Sequence, residues 1–505
     1  MTDTSIPAAS EPTAQPLESR ATNRSLRPSS PRFLEFVTSG WGPRPASTVT
    51  RSAAADFTAA RRDRLSAAFP GARLVVPAGR PQVRSNDTDF RFRPHAAFAH
   101  LTGLGTEHEP EAVLVLHPQE DGSHRAVLHL RPLAGRDTEE FFADPAHGEF
   151  WVGPRPTLAE VAELTGIETA HLDELRDALA KDVGPGGLQV LVVPGVDEAV
   201  DAVVAQIRAA QEAGETRDEA LAEALSELRL VKDAHEVAEL REAVATTIAG
   251  FEKVVQALPE AVAHRRGERV VEGVFLGHAR QEGNDVGYTT IAAAGPHAAT
   301  LHWSDNDGPV RPGELVLLDA GVEVDSLYTA DITRTLPVDG VYTPVQRRVY
   351  QAVLDAADAA IAVIRPGILF RDVHAAAMEV IAARLAEWGL LPVSAAESLD
   401  VDVQLHRRWM VHGTSHHLGL DVHDCAQARA ELYLDGVLEP GMVFTVEPGL
   451  YFTPDDLLVP AEYRGIGVRI EDDVLVTADG AENLSAALPR DPDAVEAWMA
   501  GLLAR

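Results

Sequence analysis

Two stretches of this 505-residue sequence repeat one pattern. "GELVLLDAG" at 313–321 and "GMVFTVEPG" at 441–449 each follow a Pro-Gly turn, run through an apolar strand and end in a carboxylate beside glycine. Such an echo predicts two similar halves that face one another and bring Asp319 and Glu447 to a shared cleft. Both acids, together with Asp331 in "TADITRT", are flanked by residues that normally face a core. An ionised carboxylate taken into a dry interior costs several kcal/mol even after relaxation, so a cation or an arginine has to offset each one. On "VRIED", Arg469 and Glu471 stand two apart and project from the same face of a strand.

Histidines cluster nearby: "MVHGTSHHLGLDVHD" places His412, His416, His417 and His423 within twelve residues. Carboxylates with one imidazole suit divalent Mn, Co, Zn or Fe, and two or more bridging acids would hold two ions about 3.5–4 Å apart. The residues alone leave His416 and His417 as alternatives for the imidazole ligand. Taken singly, each acid also fits a turn, a cap or an ion pair, Asp331 with Arg334 for example. Cys425 is the only cysteine, which excludes an intrachain disulfide and a thiolate cluster within one chain and leaves oxygen and nitrogen to hold a metal. It reads as a small apolar filler. Asp472 and Asp473 read as solvated turn residues.

The rest of the chain reads as α/β (α+β), with room for more than one domain at about 150 residues each. Residues 1–54 form a flexible Pro-rich extension whose apolar island of Phe33, Leu34, Phe36, Val37 and Trp41 could dock on the folded body. An amino-terminal α/β domain spans 55–225, with strands expected at 74–76, 112–116, 126–130 and 190–193, capping-box spacing at Thr157 and Glu160, and an amphipathic helix over 196–215. A second mixed domain spans 226–490, with helices at 344–364 and 370–388 and strands at 288–293, 315–318, 443–446 and 468–470. Residues 491–505 are left as a carboxy-terminal tail. Lys plus Arg number 44 against 77 Asp plus Glu, and the resulting net charge of −33 argues against nucleic acid or an anionic membrane as partner. Without an apolar run long enough to span a bilayer or a secretory signal pattern, a soluble cytoplasmic protein is expected.

The motifs "LHWSDNDGPVRPGELVLLDAG", "YTADITRTLPV", "HGTSHHLGLDVHD", "FTVEPGLY" and "YRGIGVRIEDDVLVT" closely resemble those of aminopeptidase P, the Xaa-Pro aminopeptidases, and occur in that family's order. The resemblance spans roughly 60–485. It implies an amino-terminal domain of creatinase/prolidase type followed by a pita-bread catalytic domain with two pseudo-symmetric halves. It also implies two divalent ions per subunit, usually manganese, with Asp319 on one metal, Asp331 and Glu471 bridging, and His416 and Glu447 on the other. His302, His412 and His423 match outer histidines that contact substrate or steady the tetrahedral intermediate, and Arg469 matches an arginine beside the bridging glutamate. The twelve positions from Asp319 to Asp331 are one more than in some relatives, an insertion that "EVDSLYT" would absorb. Where relatives carry "DFWYLTG" or "DFYYLTG", this chain has "AFAHLTG", losing at Ala99 an aromatic that in some members reaches a neighbouring subunit. Relatives assemble through the amino-terminal domain, so a homo-oligomer, dimer or tetramer, is expected.

The implied reaction is hydrolysis of the bond before proline in Xaa-Pro-Y peptides. Metal ions would acidify a water and polarise the carbonyl, Glu447 would shuttle a proton to the departing nitrogen, and His423 or His412 would donate to the oxyanion. An X-Pro amide lacks the N–H that ordinary peptidases bind, so a ring pocket flanked by His302 and His412 could select it. The rivals are prolidase, restricted to dipeptides with the same ligands; creatinase, which does not use metals; and a peptide-binding module that does not cut. Retention of every presumptive ligand disfavours the last two.

Overall fold

In the computed structural model, residues 30–86, 88–108, 110–184, 186–209 and 217–504 are described. The amino-terminal part is a five-stranded mixed sheet ordered Glu168–His171, His124–Leu130, Val113–Pro118, Ala72–Pro77, Gln189–Val192. Side chains alternate across a strand, so this sheet builds two separate cores. Leu74, Val76, Leu114, Leu116 and Leu128 pack on one face with Leu65, Phe98, Val161 and Leu225 from flanking helices. Val75, Val113, Val115, Val190 and Val192 pack on the other with Leu179, Val204 and Ile207. The helix expected over 196–215 is Glu198–Arg208, and the last part of that expectation lies outside the described residues.

A large third core, with a small separate cluster of Ile291, Ala293, Ala298 and Leu317, holds the remainder of the described chain, in two halves of like construction. The first pairs helices Ala234–Ala263 and Gly267–Glu282 with an antiparallel sheet of Ile291–Ala294, Leu315–Ala320 and Ile332–Pro337. The second pairs Pro344–Val363 and Phe370–Glu387 with Val443–Val446, Asp472–Val476 and Ala481–Asn483. Helix starts follow from local sequence: Asp233 with Glu236, and Thr343 with Gln346 before Pro344, both close capping boxes. The halves are tied where the Glu471 N–H donates to the Thr333 carbonyl (3.1 Å) and the Asp331 N–H to Asp473 Oδ2 (3.1 Å). "EVDSLYT" is absorbed as a tight turn, with Leu327 in the left-handed region and the Val324 N–H donating to the Tyr328 carbonyl.

Several expectations need correction. Asp472 and Asp473 are not solvated: both are fully buried on a strand, Asp472 paired with Arg334 (2.7 Å) and Arg490 (3.3 Å). Arg334 is thereby committed to Asp472 and not to Asp331. Residues expected as a tail include the helix Pro492–Leu503, whose Val495, Met499 and Leu502 join the main core. Part of the amino-terminal extension is also ordered. Pro31–Thr38 is helical, Phe33 packs edge-on against Phe142 (5.9 Å), and Trp41 packs against Phe141 (5.4 Å) and Phe150 (5.6 Å). Residues 1–29 of that extension lie outside the described residues. No helix among the described residues is long and apolar enough to cross a membrane.

Candidate active site

Asp319 lies near the end of Leu315–Ala320, and Asp331 immediately precedes the antiparallel Ile332–Pro337, whose register sets Thr333 opposite Asp319. Glu447 follows Val443–Val446, while Glu471 sits between Ile466–Arg469 and Asp472–Val476. The segment 414–417 runs beside the Glu447 strand: the His416 N–H donates to Thr445 Oγ1 (3.1 Å) and the Glu447 N–H to the Thr414 carbonyl (2.8 Å). Alternation along that extended segment decides between the adjacent histidines. His416 faces the acids, whereas His417 turns into the core and stacks on Phe370 at 5.0 Å.

All nine predicted site residues line one cavity of about 660 Å³. The tightest group is Asp331, His416 and Glu471, whose ligand atoms lie within 4.8 Å of one another. Glu447 joins it through His416 Nε2 (3.6 Å), which is also 3.3 Å from Asp331 Oδ2. Asp319 joins through Tyr288, whose hydroxyl is 2.6 Å from Asp319 and 2.5 Å from Asp331. Arg469 contacts the far Asp319 oxygen at 2.5 Å and Tyr451 at 3.2 Å, and its Nε donates to Thr333, whose hydroxyl in turn donates to Glu471 (2.6 Å). His412 sits between Glu447 (3.5 Å), the Gly413 carbonyl (2.6 Å) and the Tyr451 hydroxyl (2.7 Å). His423 packs edge-on against His416 at 4.4 Å, and His302 lines the cavity wall beside Leu301 and Ser304.

The electrostatics are those of acids crowded in a dry cleft. Burial pushes Glu447 up to about 7, and burial with the neighbouring carboxylates pushes Glu471 well above its ordinary value. Asp319 is raised for the same reasons despite Arg469. Burial works against protonated His416, but Asp331 and Glu447 outweigh it and lift the imidazole to about 9. Burial and Arg469 push His412 down to about 3, and burial with His416 lowers His423. Asp473, buried behind Asp331, is also raised well above the usual carboxylate range.

Tyr288, Thr333, Tyr451 and Asp473 take part in this network but are not among the residues expected from sequence. Tyr451, in "FTVEPGLY", could have been flagged by its place four residues after Glu447; for Tyr288 no local signal exists.

Comparison with known proteins finds matches over both parts of the chain. Residues 238–478 match the model for metallopeptidase family M24, and residues 58–190 match the aminopeptidase P N-terminal domain. The chain is 52% identical over 498 residues to Xaa-Pro aminopeptidase 1 of Streptomyces coelicolor, covering 98% of this chain and 97% of that protein. The Xaa-Pro aminopeptidase of Escherichia coli is 33% identical over 442 residues, covering 85% and 94%. Among solved structures, Escherichia coli aminopeptidase P with the inhibitor Pro-Leu superposes with a TM-score of 0.77 at 31% identity, covering 90% of this chain and all of that one.

Proposed function

The chain belongs to the aminopeptidase P group of metallopeptidase family M24, with that family's amino-terminal and pita-bread domains, and from this we propose that it releases the first residue of peptides bearing proline in second position. One observation carries the reading: Asp319, Asp331, His416, Glu447 and Glu471, drawn from both halves of the domain, meet in a single cavity.

The donor set fits divalent cations. Four carboxylates and an imidazole offer hard oxygen and borderline nitrogen, and among the described residues Arg469 is the only arginine or lysine lining the cavity against those acids. Cations there would remove the repulsion that raises the acids. Asp319, Asp331, His416, Glu447 and Glu471 would hold two ions, with Mn(II) the first choice. When bound, these supply Lewis-acid polarisation of the scissile carbonyl and acidification of water.

The remaining roles fall to the chain's own side chains. Glu447, beside His412 and His416 in the cavity, carries a proton towards the departing proline nitrogen. Both ring nitrogens of His412 are engaged, with Gly413 and Tyr451, which suits a fixed wall of the substrate pocket. His423, lining the cavity and packed against His416, is then the better donor to the developing oxyanion. Arg469 holds Asp319 in place. His302 and His412 flank a pocket that takes the proline ring without asking for an amide N–H.

Incubation of Mn(II)-loaded protein with Arg-Pro-Pro tests this directly. Free arginine with intact Pro-Pro is the expected product pair; cleavage confined to Xaa-Pro dipeptides would make the protein a prolidase, and binding without cleavage a peptide-binding module. The assembly expected with this activity is a homo-oligomer, dimer or tetramer, in the cytoplasm.

A further inference from the structure

His423 rides on a loop built of bends. Nothing regular holds its ring, so its aim depends on what grips residues 419–424 from outside. Two acids flank it, Asp421 and Asp424, and three cations meet them. Arg229 and Lys232, from the segment joining the two domains, reach Asp424 at 2.9 Å and 3.3 Å. That carboxylate is buried so tightly that a Cβ on Gly419 would stand 2.2 Å from it.

The third cation comes from the amino-terminal domain. Arg93, just ahead of helix Ala96–Thr102, donates through Nε to Glu323 (2.7 Å), through Nη1 to Asp421 (3.3 Å) and through Nη2 to the Leu420 carbonyl. Glu323 is buried and also accepts from Asn284 (2.6 Å), on the short strand Val322–Glu323 that continues from Asp319. One guanidinium thus spans two catalytic-domain segments, one leading from Asp319 and the other to His423. The Arg93–Asp421 pair is itself partly exposed and adds little stability. Its geometry matters more, because a rigid fork fixes the loop at two points, Asp421 and the Leu420 carbonyl.

We propose that Arg93 is a positioning residue through which the amino-terminal domain aims His423 at the reacting group. This rests on reading His423 as the oxyanion donor. A misaimed donor lowers the rate of the chemical step more than it lowers substrate binding.

The test uses full-length Mn(II)-loaded protein and an Xaa-Pro-Y tripeptide. Arg93→Ala is expected to lower kcat on the order of 10-fold with KM little changed. Arg93→Ala combined with His423→Ala should fall no lower than His423→Ala alone. Free guanidinium below denaturing concentration should restore part of the Arg93→Ala rate and none of the His423→Ala rate. Asp421→Asn, which leaves the pairs of Asp424 with Arg229 and Lys232 intact, should lower kcat in the same direction by less. Wild-type kcat in Arg93→Ala, or losses that multiply in the double variant, would overturn the proposal. Full activity of His423→Ala would instead remove the catalytic reading of His423, and the two failures are read from different variants.

Discussion

The Tyr288 hydroxyl stands between Asp319 and Asp331, 2.6 Å from one and 2.5 Å from the other, so one hydroxyl ties together the two acids of the first half. Groups that orient metal ligands typically alter affinity or activity 10–100-fold when removed. Tyr288→Phe is therefore expected to weaken Mn(II) binding by about 10-fold. Calorimetric titration of the metal-free variant measures this; unchanged affinity would leave the tyrosine without an orienting role.

Asp331 lies in the tightest group of ligand atoms and faces His416, Glu471 and, behind it, Asp473. Asp331→Ala should abolish hydrolysis while leaving circular dichroism unchanged. Near-normal turnover would count decisively against the proposed metal centre.

Metal binding should release protons. In the metal-free protein Glu447 titrates near 7 and His416 near 9, and Glu471 is raised well above its ordinary range. Ligands must give up these protons to bind a cation, so apparent affinity should climb as pH rises through 7 to 9. Titration in buffers of different ionisation enthalpy reads the proton count; no release at neutral pH would contradict the crowded-acid picture.

Asp424 gives the acid limb of stability. Burial alone would raise its pKa, but Arg229 and Lys232 hold it at about 2, below the ordinary aspartate value near 3.9. Its contribution is fully present above about pH 4 and is lost as pH falls towards 2, on the order of 2 kcal/mol. Asp424→Asn should lack that slope and be less stable at pH 7, since two buried cations lose their partner. Denaturant midpoints across pH 2–7 check both statements.

The acids and histidines of the cleft were legible because the chemistry sits in short strands whose ends carry it. What the sequence hides is what only folding brings together. Tyr288 reaches acids 31 and 43 positions away, and Asp473 reaches back 142 to the Asp331 amide. Asp472 and Asp473 misled because adjacent acids are usually solvated, whereas Arg334 and Arg490 neutralise the first of them from distant segments. The carboxy-terminal helix had a readable signal, with Val495, Trp498, Met499 and Leu502 at helical spacing behind the Asp491 cap and Pro492. Choosing His416 over His417 needed the pairing of that segment with the Glu447 strand.

The hydrogen bonds from Asp331 to Asp473 and from Glu471 to Thr333 join parts of the chain made far apart in time. A polypeptide leaving the ribosome has already exposed Asp319 and Asp331 while the partners that complete the cleft are still untranslated. Capture of cations by the proposed centre would accordingly be a late event in biogenesis, and a prematurely terminated product ending before residue 469 should be unable to retain them.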